Sequence, residues 1–244
     1  TMNRFGEKNK IILAENKQKK IIKMLLLSCH ALKSDFELTG RKLPDDEGAI
    51  TYYLIEEYLD NDDFRRKNKM EFINIRFIPE YPENYNKDKA NYKGRLDMKV
   101  IGEDFLHDRN TYAVIECKRL DGESHLKREY VKEGIDRFVG MLQGEIKYLR
   151  HTGMDMMLGY IVKDEDMDKV LADINDYLGK KYKSNCTKSI TEKQKEDEWM
   201  LGDSMFQCVD GNERQMEHMF YKLHTIIESE KGIHNLENKN QKRG

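Results

Sequence analysis

Apolar residues recur every three or four positions in four stretches of the chain, which is the spacing of an amphipathic helix. The predicted helices cover 8–32, 45–59, 124–150 and 164–178. The first carries a surplus of lysine and therefore a basic outer face. The second can start with Asp45 or Asp46 as its N-cap. The third has the strongest periodicity, and we expect it to end at Gly153.

Other stretches alternate apolar and polar residues or are rich in β-favouring residues, which indicates strands. The predicted strands cover 72–78, 95–101, 112–119 and 156–162, with a C-terminal β-hairpin of 205–209 and 215–220. Pro79 is expected to end the first strand. The polar segments 80–92 and 179–198 are expected to be loops, and the tail 228–244 to be flexible.

The composition predicts one folded unit. The 244 residues contain three prolines and no Gly/Ser-rich linker, so we expect a single domain over 1–244. Its core is expected at about 44–223, after an N-terminal helical extension over 1–40. Charged residues reach 36%, yet 43 Lys+Arg against 45 Asp+Glu leave a net charge of −2. This balance excludes a uniformly basic nucleic-acid binder and an acidic disordered chain.

The cysteines and the longest apolar stretch favour a cytoplasmic protein. Four cysteines form no Cys-x-x-Cys pair, so neither a zinc knuckle nor a disulfide framework is indicated. Lys23 and His30 interrupt the apolar stretch 21–32, which is too short to span a membrane. We therefore predict reduced thiols and no membrane partner.

The most informative chemistry lies on two neighbouring predicted strands. Glu116 and Lys118 are two positions apart, so they share one strand face at about 6.5 to 7 Å along the chain. On the preceding strand Asp97 is out of phase with apolar Leu96 and Met98, so it can join Glu116 while they face the core. Two carboxylates and a lysine would then meet at one edge of a sheet.

Two interpretations of this cluster are open. Charged residues on the polar face of a half-exposed strand are common. However, Glu116 and Lys118 end the apolar run 113–115, and a buried strand carries charge only for a reason. Mg²⁺ prefers oxygen ligands such as carboxylates, and a neighbouring ammonium can orient water and offset charge developing at phosphorus. The cluster is therefore a plausible phosphodiesterase site.

An Asp on one strand and Glu-x-Lys on the next, after a Glu-bearing helix and before a long helix and another strand, resembles the PD-(D/E)XK nuclease superfamily, the restriction-endonuclease-like fold. The resemblance covers about 44–162. It implies an α/β fold with a central mixed β-sheet flanked by helices in α-β-β-β-α-β order, and a nuclease that uses Mg²⁺ or Mn²⁺. Leu96 stands where the family pattern has proline.

The resemblance also implies roles for individual residues. Asp97 and Glu116 would be metal ligands, the carbonyl of Cys117 a further ligand, and Lys118 the water-positioning base or an electrostatic group. A fourth acidic ligand often comes from the early helix, and Glu47 is the best candidate, ahead of Glu57 and Glu56. Alternatively, Glu47 only stabilises the helix, because the helix dipole favours any acidic residue in the first turn.

Polar residues after the motif are candidates for contacts with nucleic acid, although residues of this kind are more often ordinary surface residues. They are Arg119, His125, Lys127, Arg128, Tyr130 and Arg137.

We therefore predict a Mg²⁺-dependent nuclease that hydrolyses phosphodiester bonds of DNA in the cytoplasm, with restriction or phage defence as the expected role. The alternatives are a catalytically inactive nuclease-like subunit for nucleic-acid binding or assembly, and a nuclease for RNA or branched DNA. Besides nucleic acid, the expected partner is a second copy of the chain or a protein of a defence system.

Overall fold

A computed structural model describes residues 3–70, 74–86, 91–148 and 154–228. The α-helices of these residues are α1 Asn3–Thr39, α2 Glu47–Leu54, α3 Asp62–Lys67, α4 Asp104–His107, α5 Ser124–Glu129, α6 Asp136–Val139 and α7 Met167–Tyr182. A π-helical turn, Ile55–Leu59, extends α2, and another, Tyr130–Ile135, joins α5 to α6. Short 3-10 turns occupy Lys183–Asn185 and His224–Ile226.

Seven strands of the described chain form one mixed sheet. They are β1 Ile75–Asn86, β2 Asn91–Gly102, β3 Tyr112–Leu120, β4 Asp155–Ile161, β5 Cys186–Lys195, β6 Trp199–Gln207 and β7 Glu213–Lys222. Their order across the sheet is β1-β2-β3-β4-β7-β6-β5. β4 is parallel to both β3 and β7, and the other neighbours are antiparallel. The protein is therefore an α/β protein with a central mixed sheet and an N-terminal helix, as predicted.

Apolar layers cover both faces of the sheet. One layer packs α1 and α2 against the sheet, and the other packs the α5–α6 region and α7 against the opposite face. The central strands β3 and β4 are buried along nearly their whole length. A charged side chain on β3 therefore needs a partner, because an isolated buried charge is strongly unfavourable.

Local capping explains where the helices of the site begin. Asp46 is extended and its side chain accepts a hydrogen bond from Ala49 N at 2.8 Å, so the N-cap of α2 is Asp46 rather than Asp45. Asp166 caps α7 in the same way. No helix among the described residues is long and apolar enough to cross a membrane.

Two segments predicted as loops are strands, so those predictions are wrong. β1 continues past Pro79 and Pro82 to pair with β2, and it can do so because β1 is an edge strand, where a missing N–H is tolerated. β5 lies within the predicted loop 179–198 at the opposite edge. Only Ile190 of β5 is buried, so its sequence looks polar.

The long predicted helix is also wrong at its C-terminal end. Gly140 adopts a left-handed φ of 73° and ends α6, and the chain through residue 148 is not helical. The buried Asp136 carboxylate stabilises this turn by accepting hydrogen bonds from Leu142 N and Gln143 N, both at 2.9 Å. The predictions about Gly153 and the tail beyond residue 228 lie outside the described residues.

Candidate active site

The candidate site lies where β2 and β3 separate. Their register runs from Ile101↔Tyr112 to Met98↔Ile115. At the next position, the Asp97 carboxylate accepts a hydrogen bond from Cys117 N at 2.7 Å. A buried backbone donor must find an acceptor, and here a side chain supplies it. Asp97 is thereby tied to the strand that carries the Glu-x-Lys residues.

The ammonium of Lys118 lies at the centre of the site. Its Nζ is 2.9 Å from Glu47 Oε1, 3.1 Å from Glu116 Oε1 and 3.9 Å from Asp97 Oδ2. It also donates a hydrogen bond to Cys117 O at 2.7 Å. Burial alone lowers the pKa of Lys118, but the surrounding carboxylates outweigh burial and raise it above its ordinary value. Lys118 is therefore charged.

Glu47 joins the first turn of α2 to β3. Its Oε1 binds Lys118, and its Oε2 accepts a hydrogen bond from Arg119 N at 2.8 Å. The alternatives Glu56 and Glu57 are both exposed on the π-helical turn that follows α2. Of the three glutamates considered for this role, Glu47 is the one that reaches the cluster.

Glu116 is fully buried and both of its carboxylate oxygens are engaged. Arg137 Nη1 lies 2.5 Å from Oε1, and the Tyr148 hydroxyl donates to Oε2 at 2.7 Å. Arg137 Nη1 also donates to the Tyr148 hydroxyl at 2.9 Å. Burial and the neighbouring Glu116 charge raise the pKa of Tyr148 well above its usual range, so this hydroxyl remains a donor.

Asp97 is not fully ionised at neutral pH. The pKa of Asp97 is raised to about 8, first by burial and then by repulsion from Glu116, against the opposing effects of Lys118 and the Cys117 N–H. Carboxylate and carbonyl oxygens are suitable donors for Mg²⁺. In this structure, however, they surround the Lys118 ammonium, and the described residues contain no group of three or more His, Cys, Asp or Glu arranged around a metal position. The donor types fit a divalent cation, whereas their present arrangement holds an ammonium.

Two of the residues predicted to contact nucleic acid are buried. Tyr130 stacks on Phe220 in the core, and its hydroxyl is 3.0 Å from His218 Nδ1. Lys127 is buried in ion pairs with Glu165 at 2.5 Å and Asp173 at 2.8 Å. Neither side chain is available to a nucleic acid in this conformation.

The other predicted contacts have mixed positions. Arg119 lies beside the cluster and pairs with Asp45 at 2.7 Å. Arg137 faces Glu116 rather than solvent. His125 and Arg128 are exposed on α5, and the described structure shows no contact between either of them and the cluster.

Sequence reasoning missed Tyr148, which helical periodicity had placed near the end of a continuous helix. The signal that could have found it is the pair Gly140 and Gly144, because glycine destabilises a helix interior and is favoured where a helix ends. Comparisons of the chain with family models, curated proteins and solved structures find no match.

Proposed function

We propose that this protein is a divalent-metal-dependent nuclease that hydrolyses phosphodiester bonds of DNA. The observation that carries the proposal is the convergence of Glu47, Asp97 and Glu116 within 4 Å of one point, Lys118 Nζ. The pair Glu47 and Lys118 is separated by 71 positions in the chain. Bringing three carboxylates and a lysine together in a protein interior costs desolvation free energy. Clusters of strongly perturbed ionisable groups are common at functional sites.

The order of the elements around the site supports the same proposal. α2 precedes three strands that form an antiparallel meander, β1-β2-β3, and the α5–α6 region then leads to β4, which lies parallel to β3. This is the α-β-β-β-α-β order that the resemblance to restriction-endonuclease-like nucleases implies. We therefore propose that residues from α2 to β4 form such a core, with β5, β6 and β7 extending the sheet.

The chemistry follows from the residue types. The carboxylates of Glu47, Asp97 and Glu116 and the carbonyl of Cys117 are the groups that would hold Mg²⁺ or Mn²⁺. The ion would stabilise negative charge at phosphorus when bound. Lys118 would leave the carboxylates and direct its ammonium toward the attacking water or a phosphate oxygen. Its hydrogen bond to Cys117 O would have to break for that carbonyl to become a ligand.

The proposal is tested by incubating the full chain with plasmid, linear duplex DNA, single-stranded DNA and RNA in Mg²⁺, Mn²⁺ or EDTA. Asp97→Asn and Lys118→Met should each lower cleavage by at least about 100-fold, in the range found when a group acting on the transition state is removed. Asp63→Asn and Lys67→Met are matched controls, because both residues are exposed on α3 away from the cluster. Equal cleavage by wild type and both site variants would exclude this site, and cleavage in EDTA would exclude the metal requirement.

A non-catalytic nucleic-acid-binding or assembly subunit is the second candidate. The observation that favours it is that Lys118 already pairs with three carboxylates and with Cys117 O, as a purely structural ion cluster would. Binding of nucleic acid without cleavage in any metal would support this candidate. Cleavage of RNA or branched DNA alone would change the substrate class and keep the site.

The cellular setting remains a prediction from the resemblance. A role in restriction or phage defence and a partner subunit are part of that prediction, whereas the cytoplasmic location is predicted from the cysteines and the short apolar stretch. None of these predictions affects the chemistry proposed for the site.

A further inference from the structure

Arg137 and Tyr148 hold Glu116 by both of its oxygens, and the sequence predicted a contact with Glu116 for neither residue. The bond from Arg137 Nη1 reaches Oε1 and the bond from the Tyr148 hydroxyl reaches Oε2, so the carboxylate cannot rotate without breaking one of them. Arg137 also binds the Tyr148 hydroxyl, which closes a triangle of contacts. We refer to these two residues as the Glu116 clamp.

The backbone around the clamp is built to bring its two members together. Lys147 N and Tyr148 N both donate hydrogen bonds to Arg137 O, at 2.9 and 3.2 Å. The left-handed Gly140 and the Asp136 carboxylate form the turn between them. Tyr148 reaches Glu116 because the helix stops at α6 and the chain folds back along it.

The ring and its neighbours fix the orientation of the Tyr148 hydroxyl. Tyr148 is fully buried and packs edge-on against Phe138, with ring centroids 5.0 Å apart. A side chain held by packing and hydrogen bonds keeps its partner in one geometry. Groups that orient the ligands of a metal in this way typically change metal affinity or activity about 10- to 100-fold when they are mutated.

We infer that Arg137 and Tyr148 are positioning residues that act through Glu116, holding its carboxylate in the orientation in which it receives a divalent cation. This inference rests on the proposed function. It also changes the role expected for Arg137, which the sequence suggested as a nucleic-acid contact. Arg137 Nε is buried and has no hydrogen-bond partner among the described residues. The competing explanation of Arg137 is therefore that it donates a hydrogen bond to a phosphate of the nucleic acid.

The test uses Tyr148→Phe, which removes only the hydroxyl. Tyr221→Phe is the matched control, because Tyr221 is also fully buried and its hydroxyl contacts His30 Nδ1, away from the cluster. Mn²⁺ affinity of the full chain is measured by titration calorimetry, and kcat and KM for DNA are measured in parallel. We expect Tyr148→Phe to weaken Mn²⁺ binding about 10- to 100-fold and to lower kcat with KM unchanged. Tyr221→Phe should leave all three values unchanged.

A double-mutant cycle then asks whether Tyr148 acts through Glu116. Tyr148→Phe should have little further effect on Mn²⁺ affinity in a Glu116→Gln background, because residues that act as a unit are not additive. The same loss in both backgrounds would overturn the inference, as would wild-type Mn²⁺ affinity and kcat in Tyr148→Phe itself.

The remaining outcomes separate the inference from the proposed function. If Arg137→Gln and Tyr148→Phe raise KM for DNA without changing Mn²⁺ affinity, the clamp contacts phosphate and the positioning inference is wrong, while the nuclease proposal survives. If the wild type neither binds Mn²⁺ nor cuts any substrate, the proposed function fails and the inference fails with it.

Discussion

Replacement of Lys118 by methionine should destabilise the protein by about 3 to 5 kcal/mol, because it leaves buried carboxylates without the cation that they share. The side chain of Lys118 is only 10% exposed, and its ammonium contacts Glu47, Glu116 and Asp97. Methionine is unbranched and similar in length, so it fills the same space without the charge. The loss of stability then reports on electrostatics rather than on a cavity.

The exposure of the three carboxylates decides which of them dominates the loss. Glu47 and Asp97 have side chains 34% and 26% exposed, so water can hydrate them once Lys118 is gone. Glu116 is 0% exposed, and Arg137 and Tyr148 would be its remaining partners. Because Arg137 keeps part of this charge neutralised, we expect the lower end of this range, about 3 kcal/mol. For a chain of this length, the midpoint of thermal unfolding should fall by about 6 to 12 °C.

Urea denaturation with and without Mn²⁺ measures the change. Lys127→Met is a matched control, because Lys127 is also a buried lysine but contacts two carboxylates, one of them on the half-exposed Asp173. Both variants should lose stability. Mn²⁺ at 100 times its dissociation constant for Lys118→Met should stabilise that variant by about 2.7 kcal/mol. The same concentration should stabilise Lys127→Met less, because its Lys118 ammonium still occupies the cluster and competes with the ion.

Three results would refute this reasoning. A loss below about 1 kcal/mol for Lys118→Met, the size found for exposed ion pairs, would mean that the carboxylates do not depend on Lys118. Equal stabilisation of both variants by Mn²⁺ would mean that the Lys118 ammonium does not compete with the ion, and no stabilisation of Lys118→Met would mean that the ion does not bind at the cluster.

Two further predictions concern parts of the fold that support the site. Burial lowers the pKa of His218 to about 3, so the folded state keeps the ring neutral and stability is lost as the pH falls below the unfolded value of about 6.5. Urea titrations should therefore show that the free energy of unfolding of the wild type falls by about 2 kcal/mol more between pH 7 and pH 5 than that of His218→Gln. Equal losses for the two proteins would contradict a neutral buried ring. Gly140→Ala should destabilise the protein more than Gly144→Ala. Both glycines have positive φ, but an added Cβ at Gly140 would lie 2.6 Å from the backbone carbon Glu145 C, whereas a Cβ at Gly144 would meet open space. Thermal unfolding measures the difference, and Gly144→Ala should lose about 1 kcal/mol of stability from backbone strain alone. Equal losses for the two variants would show that the turn does not pack against residue 145.

Local patterns predicted the parts of the fold whose stabilisation is local. Side-chain alternation put Glu116 and Lys118 on one face of β3, and the capping preference of aspartate placed the start of α2 within one residue. Alternation on the preceding strand also placed Asp97 beside Glu116, and the resemblance added Glu47. The structure brings all four together, although their roles as metal ligands or catalytic groups stay predictions.

The errors share a different cause, which is stabilisation by distant parts of the chain. β5 carries one buried residue, and its pairing with β6 makes it a strand. The polar second half of β1 is a strand because it pairs with β2. It includes Pro79 and Pro82, and proline usually interrupts a strand. The predicted helix through residue 150 ends early, and the Tyr182 hydroxyl, 46 positions away, helps to hold the Asp136 carboxylate that organises the turn. Periodicity within a short window contains none of these contacts.

The near-zero net charge of the chain says little about the site, because the cluster has its own balance. Glu47, Asp97 and Glu116 can carry three negative charges, and Lys118 and Arg137 supply two positive ones. Burial and the nearby Glu116 charge raise the pKa of Asp97 to about 8, so at neutral pH this carboxyl is mostly protonated and the other four charges cancel. With Asp97 ionised, a divalent cation would give the cluster one net positive charge, equal in magnitude to the single negative charge of a phosphodiester. Without a metal, the five side chains are therefore balanced as in a structural ion cluster, and the proposed metal would have to bind with loss of the Asp97 proton.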